Sequence, residues 1–441
     1  MIFISFVFLF SFVFSNQPAS LLFKYNGLSV YDLDFFQEVG HREWIGLEQN
    51  KKQKIFDDFL KREIGTLEAE KKGLHLNPKT VKKLLLREHQ LLINNTYEHL
   101  IARPLISNQE ILKNKENLKT SAKTWHLLIG FSDSKNTTGS VIKQQAAKNL
   151  ADSVYFLISD SLNNGGNLKE TFSFYSIQNS IDPSVKQNKG DLGWVNWGTT
   201  VASFQNPLFK LNKNVLSKPI LTEYGYHLAF VEDFEFSDYY YYNNDIYNDL
   251  AYKVGMRTLS FDSLKLSSSS FDSLIIKNSG FIINSSFCEK IYNYISLKKK
   301  KERLVSSKYS LLEWLDSFND LGVLVSYNKK DFGVGWLINK LKKLPSTRVP
   351  GFVNLVDFNS FLLSLVLEDL VVLLSEKEKI KQTTSFKRDY LDNYKNIVYN
   401  SFLGDLMGSV VVDSLEVLNK YNAGLFRGDF VSPERAVVSE I

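Results

Sequence analysis

Residues 190–233 constrain the fold of this chain more than any other stretch does. The stretch opens with the turn sequence GDLG and closes with YHLAFV at 226–231, whose pattern is typical of a β-strand. An upstream run of similar character, TWHLLI at 124–129, predicts a partner strand. Each run carries one histidine, His126 or His227. Two neighbouring strands would bring these distant imidazoles together.

The rest of the chain is too long to share one core with this stretch. A length of 441 residues predicts two to four domains. The fractions of 44% hydrophobic and 23% charged residues are ordinary for a soluble protein, and a net charge of +5 gives little reason to expect a nucleic-acid partner. Cys288 is the single cysteine, so an intramolecular disulfide is excluded and a buried structural thiol is expected.

The N-terminus predicts export. Residues 2–14 are apolar and broken only by serines, and a small-residue cleavage pattern with polar residues follows. This is typical of a secretory signal peptide, which we place at 1–15. No basic residue precedes the run, since the first is Lys24, so an uncleaved anchor stays open as the alternative. A second apolar run at 361–374 contains Glu368 and Asp369 and is expected to be a buried helix.

Helical periodicity surrounds the histidine-bearing stretch on both sides. We predict a helical module at 16–120, a helical connector at 236–305 with an irregular serine-rich tract at 267–270, and a second helical module at 306–424. Residues 61–116 align without a gap on 367–422, so that the second module resembles residues 30–118.

Three features in order carry a family resemblance: GDLGW at 190–194, Phe204 twelve residues after Leu192, and GYH at 225–227. Together they resemble a parvulin-type (PpiC, or rotamase) peptidyl-prolyl isomerase domain, which we place at 121–235. The upstream sequence EAEKKGLHLNPKTVKKLL is similar to exported chaperones of the SurA and PrsA kind. The resemblance implies an α+β fold, in which a small antiparallel sheet with surrounding helices is flanked by two mainly α-helical chaperone modules. The tail at 425–441 resembles the start of a second such domain.

The resemblance also implies a catalytic set of His126, Asp182 and His227. The histidines match the family's paired imidazoles at the floor of the site, and Asp182 matches the acidic position beside the substrate carbonyl. A second interpretation stays open for the pair, namely a buried polar network that holds the sheet in register. Two histidines without further ligands do not make a metal site, so neither metal nor cofactor is expected.

Leu192, Thr200 and Phe204 match the substrate-binding positions of the family. Leu192 and Phe204 correspond to apolar walls of a proline pocket. Thr200 stands where the family usually has methionine, and a hydroxyl there makes the pocket smaller and more polar. The affinity for proline should therefore be lower than is usual in the family.

The expected function is that of an exported peptidyl-prolyl isomerase and chaperone, which assists the folding of secreted or outer-membrane proteins in the periplasm or elsewhere in the cell envelope. Its partners would be unfolded or proline-containing polypeptides. The alternative is a non-catalytic chaperone or envelope scaffold, whose degenerate parvulin domain only binds peptides. A lysine cluster at 298–301 predicts a solvated helix face, with contact to acidic clients or lipid as the alternative, and transient proximity to a membrane stays open. The sequence does not indicate the oligomeric state.

Overall fold

A computed structural model describes residues 20–40, 44, 47–135, 142–242, 244–302, 308–344, 352–409 and 413–427 of the chain. The signal peptide predicted at 1–15 and most of the tail predicted at 425–441 lie outside the described residues. The expected α+β fold is confirmed, because helices surround small antiparallel sheets.

A hairpin and helices come first among the described residues. They are β1 (Leu21–Tyr25), β2 (Leu28–Tyr31), α1 (Asp32–Val39), α2 (Gln49–Lys71), α3 (Pro78–Tyr97) and α4 (Asn108–Asn117). Gly73 has a left-handed conformation just after α2, which is the helix end that glycine favours. The side chain of Ser107 accepts a hydrogen bond from the Glu110 N–H at 3.1 Å and so caps α4.

The histidine-bearing region forms a four-stranded antiparallel sheet with four helices. Its elements are β3 (Thr120–Ile129), α5 (Gln144–Asn163), α6 (Leu168–Asn179), α7 (Val185–Asn188), β4 (Asp191–Asn196), α8 (Ala202–Leu208), β5 (Ile220–Thr222) and β6 (Gly225–Phe236). The strand order is β4-β3-β6-β5, so the two strands with histidines are central neighbours.

The two faces of this sheet pack against different helices, because successive side chains of a strand point to opposite faces. Leu127 and Phe230 belong to the apolar cluster that α5 and α6 complete. Ala122 and Ala229 belong to the cluster on the other face, where α8 contributes Phe204. His126 pairs with Ala229 across the ladder and therefore lies on the α8 face.

The remainder of the chain is mainly helical. Its elements are α9 (Asn244–Met256), α10 (Phe261–Asn278), β7 (Ile282–Ile283), α11 (Ser285–Glu302), α12 (Lys308–Asp316), β8 (Val323–Tyr327), β9 (Lys330–Gly333), α13 (Val334–Lys343), α14 (Leu355–Lys377), α15 (Thr384–Ser409) and α16 (Ser414–Arg427). The prediction of an irregular tract at 267–270 is wrong, because these serines lie inside α10. Ser270 and Ser273 satisfy their hydroxyls on carbonyls four residues earlier, which keeps serine compatible with a helix.

The order of elements from β1 to α4 recurs from β8 to α16. Each series has a hairpin, a short helix, a long helix, a 3-10 turn, a second long helix and a further helix. Asn26 and Asn328 both adopt positive φ at the hairpin turns, at 47° and 49°. The 3-10 turns Leu74–Leu76 and Ile380–Gln382 fall at the same shift as the sequence alignment.

The apolar run at 361–374 forms part of α14, which is long and apolar enough to span a membrane by length and composition. In the structure α14 is a packed core helix, and Phe358, Leu362 and Val366 are fully buried. Asp369 on the same helix accepts hydrogen bonds from Tyr327 at 2.7 Å and from Trp336 at 3.2 Å, so its charge is satisfied inside the protein.

The chain divides into two compact units that do not follow sequence order. One unit comprises the described parts of 1–52 and 86–390, and the other comprises the described parts of 53–85 and 391–441. The smaller unit is held by polar contacts that join its two segments. Lys395 Nζ lies 2.8 Å from both carboxylate oxygens of Glu63, and Tyr394 donates to Glu70 at 2.8 Å.

Candidate functional site

The strand register of β3 and β6 places the two histidines side by side. His126 pairs with Ala229 and Leu128 pairs with His227, so the imidazoles are diagonal neighbours on one face of the sheet. Their ring centroids are 5.7 Å apart and their planes differ by 29°. Both side chains are buried, at 7% and 6% exposure. The structure therefore brings together the pair that the sequence predicts.

Asp182 reaches His126 from the loop after α6. Its Oδ2 lies 2.6 Å from His126 Nε2, and its Oδ1 accepts hydrogen bonds from the Ser184 N–H at 2.8 Å and the Ser184 hydroxyl at 2.7 Å. The hydrogen bond with His126 is the largest of the influences that hold the pKa of Asp182 below its usual range. Asp182 is thus a carboxylate at neutral pH, and it fixes the orientation of the His126 ring.

The loop that carries Asp182 is tied to the edge of β3. The Ile181 N–H donates to the Leu128 carbonyl at 2.8 Å, and the Leu128 N–H donates to the Ser180 hydroxyl at 3.1 Å. β4 pairs with β3 only as far as Trp125, so this edge would otherwise be unpaired. The loop therefore occupies the place of a strand and sets Asp182 beside His126.

Thr222 holds the second imidazole, and sequence reasoning missed it. Its hydroxyl lies 2.9 Å from His227 Nε2, donates to the Gly225 carbonyl at 3.3 Å and accepts from the Tyr224 N–H at 3.1 Å. The Thr222 hydroxyl thus holds Nε2 of His227, and the tautomer of the ring sets the direction of this hydrogen bond. A signal was present in the sequence, since a tight turn at 223–224 puts Thr222 diagonal to His227 on the neighbouring strand.

His227 is neutral at physiological pH. Burial, and to a smaller extent the neighbouring His126, lower its pKa to about 3. The Nδ1 atoms of both His126 and His227 are buried and have no hydrogen-bond partner among the described residues. Each ring is thus held by a hydrogen bond at Nε2, while its Nδ1 is buried without a described hydrogen-bond partner.

Phe204 of α8 covers the imidazole pair. Its ring centroid is 4.7 Å from that of His227 and 6.1 Å from that of His126. Leu192 packs against the same apolar cluster that contains Phe204. Thr200 lies in the turn before α8, and its Oγ1 is buried with no hydrogen-bond partner in the described part of the chain. Of the predicted site residues, His126, Asp182, His227 and Phe204 are joined by direct contacts, and Leu192 shares the cluster of Phe204.

Two glycines allow the backbone to close around the site. Gly190 has φ of +97°, and a Cβ there would lie 2.9 Å from the His126 carbonyl oxygen and 2.8 Å from Ser176 Oγ. Gly225 has φ of +138°, and a Cβ there would lie 2.3 Å from the Ile129 carbonyl oxygen. Both positions combine a conformation that favours glycine with a close approach to β3.

No group of three or more His, Cys, Asp or Glu side chains is arranged to hold a metal ion among the described residues. What the site offers instead is a water-poor floor of two tethered imidazoles, an aromatic wall and one carboxylate at its edge. Such a site can bind an apolar ring and can favour one charge distribution of a neighbouring amide over another.

The sequence around this site is similar to that of known proteins. Residues 109–235 match the PPIC-type PPIase domain. A putative peptidyl-prolyl cis-trans isomerase Cbf2 of Campylobacter jejuni is 23% identical over 229 residues, which cover 49% of this chain and 77% of that protein. The foldase protein PrsA of Geobacillus kaustophilus is 26% identical over 206 residues, which cover 46% of this chain and 64% of that protein.

One of the solved structures that the chain matches comes from a study of two SurA-like chaperones of Campylobacter jejuni. It is 19% identical, covers 59% of this chain and 98% of its own, and has a TM-score of 0.22. The family assignment rests on the sequence matches. Residues 109–235, with the sheet that carries His126 and His227, are a PPIC-type peptidyl-prolyl isomerase domain of the parvulin kind.

Proposed function

We propose that this chain is a peptidyl-prolyl cis-trans isomerase that acts on unfolded polypeptide clients. The observation that carries the proposal is the tethered pair of buried imidazoles under Phe204, with Asp182 at its edge. Rotation about a peptide bond faces a barrier of ~18–20 kcal/mol, because the planar amide is stabilised by resonance. Exchange of an X-Pro bond is therefore slow enough to limit folding.

A catalyst of this rotation needs no nucleophile and no metal. In the twisted amide the nitrogen and carbonyl no longer share charge, so a desolvated, apolar site favours it over the planar amide. Phe204 and Leu192 would hold the proline ring, and Thr200 would line the same pocket. Neutral His227 and tethered His126 would provide a rigid floor, while Asp182 would lie beside the substrate carbonyl.

A protease-coupled assay on a proline-containing tetrapeptide tests this proposal. The His227→Ala variant should lose most of the wild-type activity, because it removes one imidazole and leaves the Thr222 hydroxyl without that partner. His89→Ala is a matched control, since His89 is on α3, outside residues 109–235, and half-exposed. Background rates in the wild type, or equal rates in the wild type and His227→Ala, would contradict the assignment.

A non-catalytic chaperone is the second candidate, and Thr200 favours it. The buried Thr200 Oγ1 has no described partner, so the pocket contains a polar atom that proline cannot satisfy. Under this alternative the domain would bind labelled proline peptides without turning them over, and the full chain would still suppress aggregation of an unfolded client. An envelope scaffold would instead co-purify with one fixed partner.

We further propose that the protein is exported and acts on secreted or outer-membrane proteins in the periplasm or cell envelope. The apolar run at 2–14 and the cleavage pattern after it support export. Cell fractionation and N-terminal sequencing of the mature protein test this. Recovery in the cytosolic fraction with the N-terminus intact would contradict it.

A further inference from the structure

We infer that Asn114 and Trp197 are positioning residues for the proline site, through which the helices outside the isomerase sheet set the shape of the pocket. The inference rests on the proposed function and concerns how the same site is held. The segment from Trp197 to Phe204 carries two of the three predicted pocket residues, Thr200 and Phe204. It is bound at its start by α4 and α9, which precede and follow the strands of the sheet.

Trp197 is the first of these attachments. It follows β4 directly and is only 2% exposed. Its indole N–H donates to Asn114 Oδ1 at 2.9 Å, and Asn114 Nδ2 donates to the Ala251 carbonyl at 3.2 Å. Asn114 lies on α4 and is fully buried, so one amide side chain joins α4, α9 and the segment that leads into the pocket.

Gly198 is the second attachment. Its N–H donates to Gln205 Oε1 at 2.8 Å, and its carbonyl accepts from the guanidinium of Arg257 just after α9. A Cβ at Gly198 would lie 2.5 Å from the side chain of Val254 on α9. The backbone thus lies directly against α9 two residues before Thr200, and Gln205 ties the same point to the helix that carries Phe204.

Apolar packing covers both attachments. Trp197 shares a buried cluster with side chains of α4, α9 and the turn before α4; its members are Ile106, Ile111, Leu118, Ala251 and Val254. Phe209, at the end of α8, packs against this cluster and also against the cluster that contains Phe204. A change in the spacing of α4 and α9 is therefore transmitted to both ends of α8.

The helix α9 is itself fixed by charged groups of the helical part of the chain. Asp249 on α9 is 3% exposed and forms ion pairs with Arg103 and with Arg388, the latter at 2.9 Å. These two ion pairs satisfy the buried charge of Asp249 and so keep α9 in place. Because Val254 and Arg257 contact Gly198, the pocket segment depends on α9 as well as on the sheet.

The test compares two substitutions of a buried helical asparagine in the full chain. Asn114→Leu removes both hydrogen bonds of the link, while Asn95→Leu is the matched control. Asn95 is also buried in a helix, at 2% exposure, and bonds to the Leu91 carbonyl and Ser385, away from the site. Isomerase kcat/KM and the Kd of a labelled proline tetrapeptide are measured at a temperature where circular dichroism shows every variant to be folded.

Asn114→Leu should lower kcat/KM about tenfold and weaken peptide binding, because a small displacement of pocket groups is costly for a positioned reaction. Asn95→Leu should leave both constants at their wild-type values. Trp197→Phe, which keeps an aromatic ring but loses the indole N–H, is a second and milder variant. In that background Asn114→Leu should have little further effect, since the link is already broken.

Two results would overturn the inference: a wild-type kcat/KM and Kd in folded Asn114→Leu, or equal losses in Asn114→Leu and Asn95→Leu. If the wild type binds the peptide without turning it over, the isomerase assignment fails, and the Kd values alone decide on positioning. If the wild type neither turns over nor binds the peptide, the assignment of a proline site is wrong. The positioning role of Asn114 and Trp197 is then contradicted as well.

Discussion

His227 shows how a single buried residue links this site to solution conditions. Its imidazole is buried on the sheet and bonded to a threonine hydroxyl. Burial, the largest cause, and the nearby His126 lower its pKa from 6.5 to about 3. Asp182, by contrast, faces His126 and keeps its charge. At neutral pH the site thus contains a neutral ring, His227, and an anion, Asp182.

The lowered pKa of His227 predicts that the fold is less stable in acid. The folded pKa of this histidine lies below its unfolded pKa. Between these two pH values the unfolded chain binds a proton that the folded chain does not bind, and this proton stabilises the unfolded state. The free energy of unfolding should therefore be highest above pH 6.5 and fall towards pH 3, and His227 should contribute about 2 kcal/mol of loss between pH 7 and pH 5. Urea denaturation of the wild type and His227→Gln at both pH values measures this. Parallel losses in the two proteins would contradict it.

At the scale of elements, β4 has one glycine just before it and one inside it, and the two have different surroundings. Gly190 has φ of +97° and is crowded by the His126 carbonyl and Ser176, whereas Gly193 has φ of +69° with nothing within 4 Å of an added Cβ. Gly193→Ala should cost about 1 kcal/mol for the left-handed backbone alone. Gly190→Ala should cost clearly more, about 3 kcal/mol, because a steric clash adds to the same strain.

Thermal and urea unfolding of the two variants measure this order, with Gly193→Ala as the control for the backbone term. Gly190→Ala should also displace β3 at His126, so its isomerase activity should fall while that of Gly193→Ala stays closer to wild type. An equal cost for the two substitutions would show that the close approach at Gly190 is relaxed in solution.

The strands could be predicted from sequence, and some of their surroundings could not. The strand-like patterns at 124–129 and 226–231 and the glycines at the turns locate β3 and β6, and with them the histidine pair. They do so because side chains along a strand alternate between its two faces. The contacts of Asp182 and Thr222 depend on how a loop and a tight turn fold back on these strands, which periodicity does not encode. The serines at 267–270 resemble a loop by composition alone, but they lie inside α10, where the Ser270 hydroxyl bonds to the Leu266 carbonyl.

At the scale of the whole molecule, the recurring order of helices shows that similar elements can take different surroundings. Ile111 on α4 is buried against Trp197, while Val417, its counterpart on α16 in the sequence alignment, is 51% exposed. Parts of α2, α3 and α15 supply the smaller unit, in which residues 53–85 group with the described residues of 391–441. Such pairing of distant segments follows from tertiary packing.

The smaller unit should depend on one buried ion pair between its two segments. Glu63 is 7% exposed and bonds to Lys395 through both oxygens, whereas the pair Lys72–Asp405 at 3.0 Å is half-exposed. Lys395→Met should cost about 3 kcal/mol, because it leaves a buried carboxylate without its main partner. Lys72→Met should cost less than about 1 kcal/mol, because water already screens that pair.

Hydrogen–deuterium exchange resolves this prediction locally, which matters because a chain with two compact units need not unfold in one step. In Lys395→Met the amides of 53–71 and 391–409 should exchange faster, while those of β3 and β6 keep their wild-type protection. Replacing both partners, as Glu63→Met with Lys395→Met, should restore most of the protection, since the buried charge is then gone. Faster exchange spread evenly over β3 and β6 as well would mean that the two units unfold together.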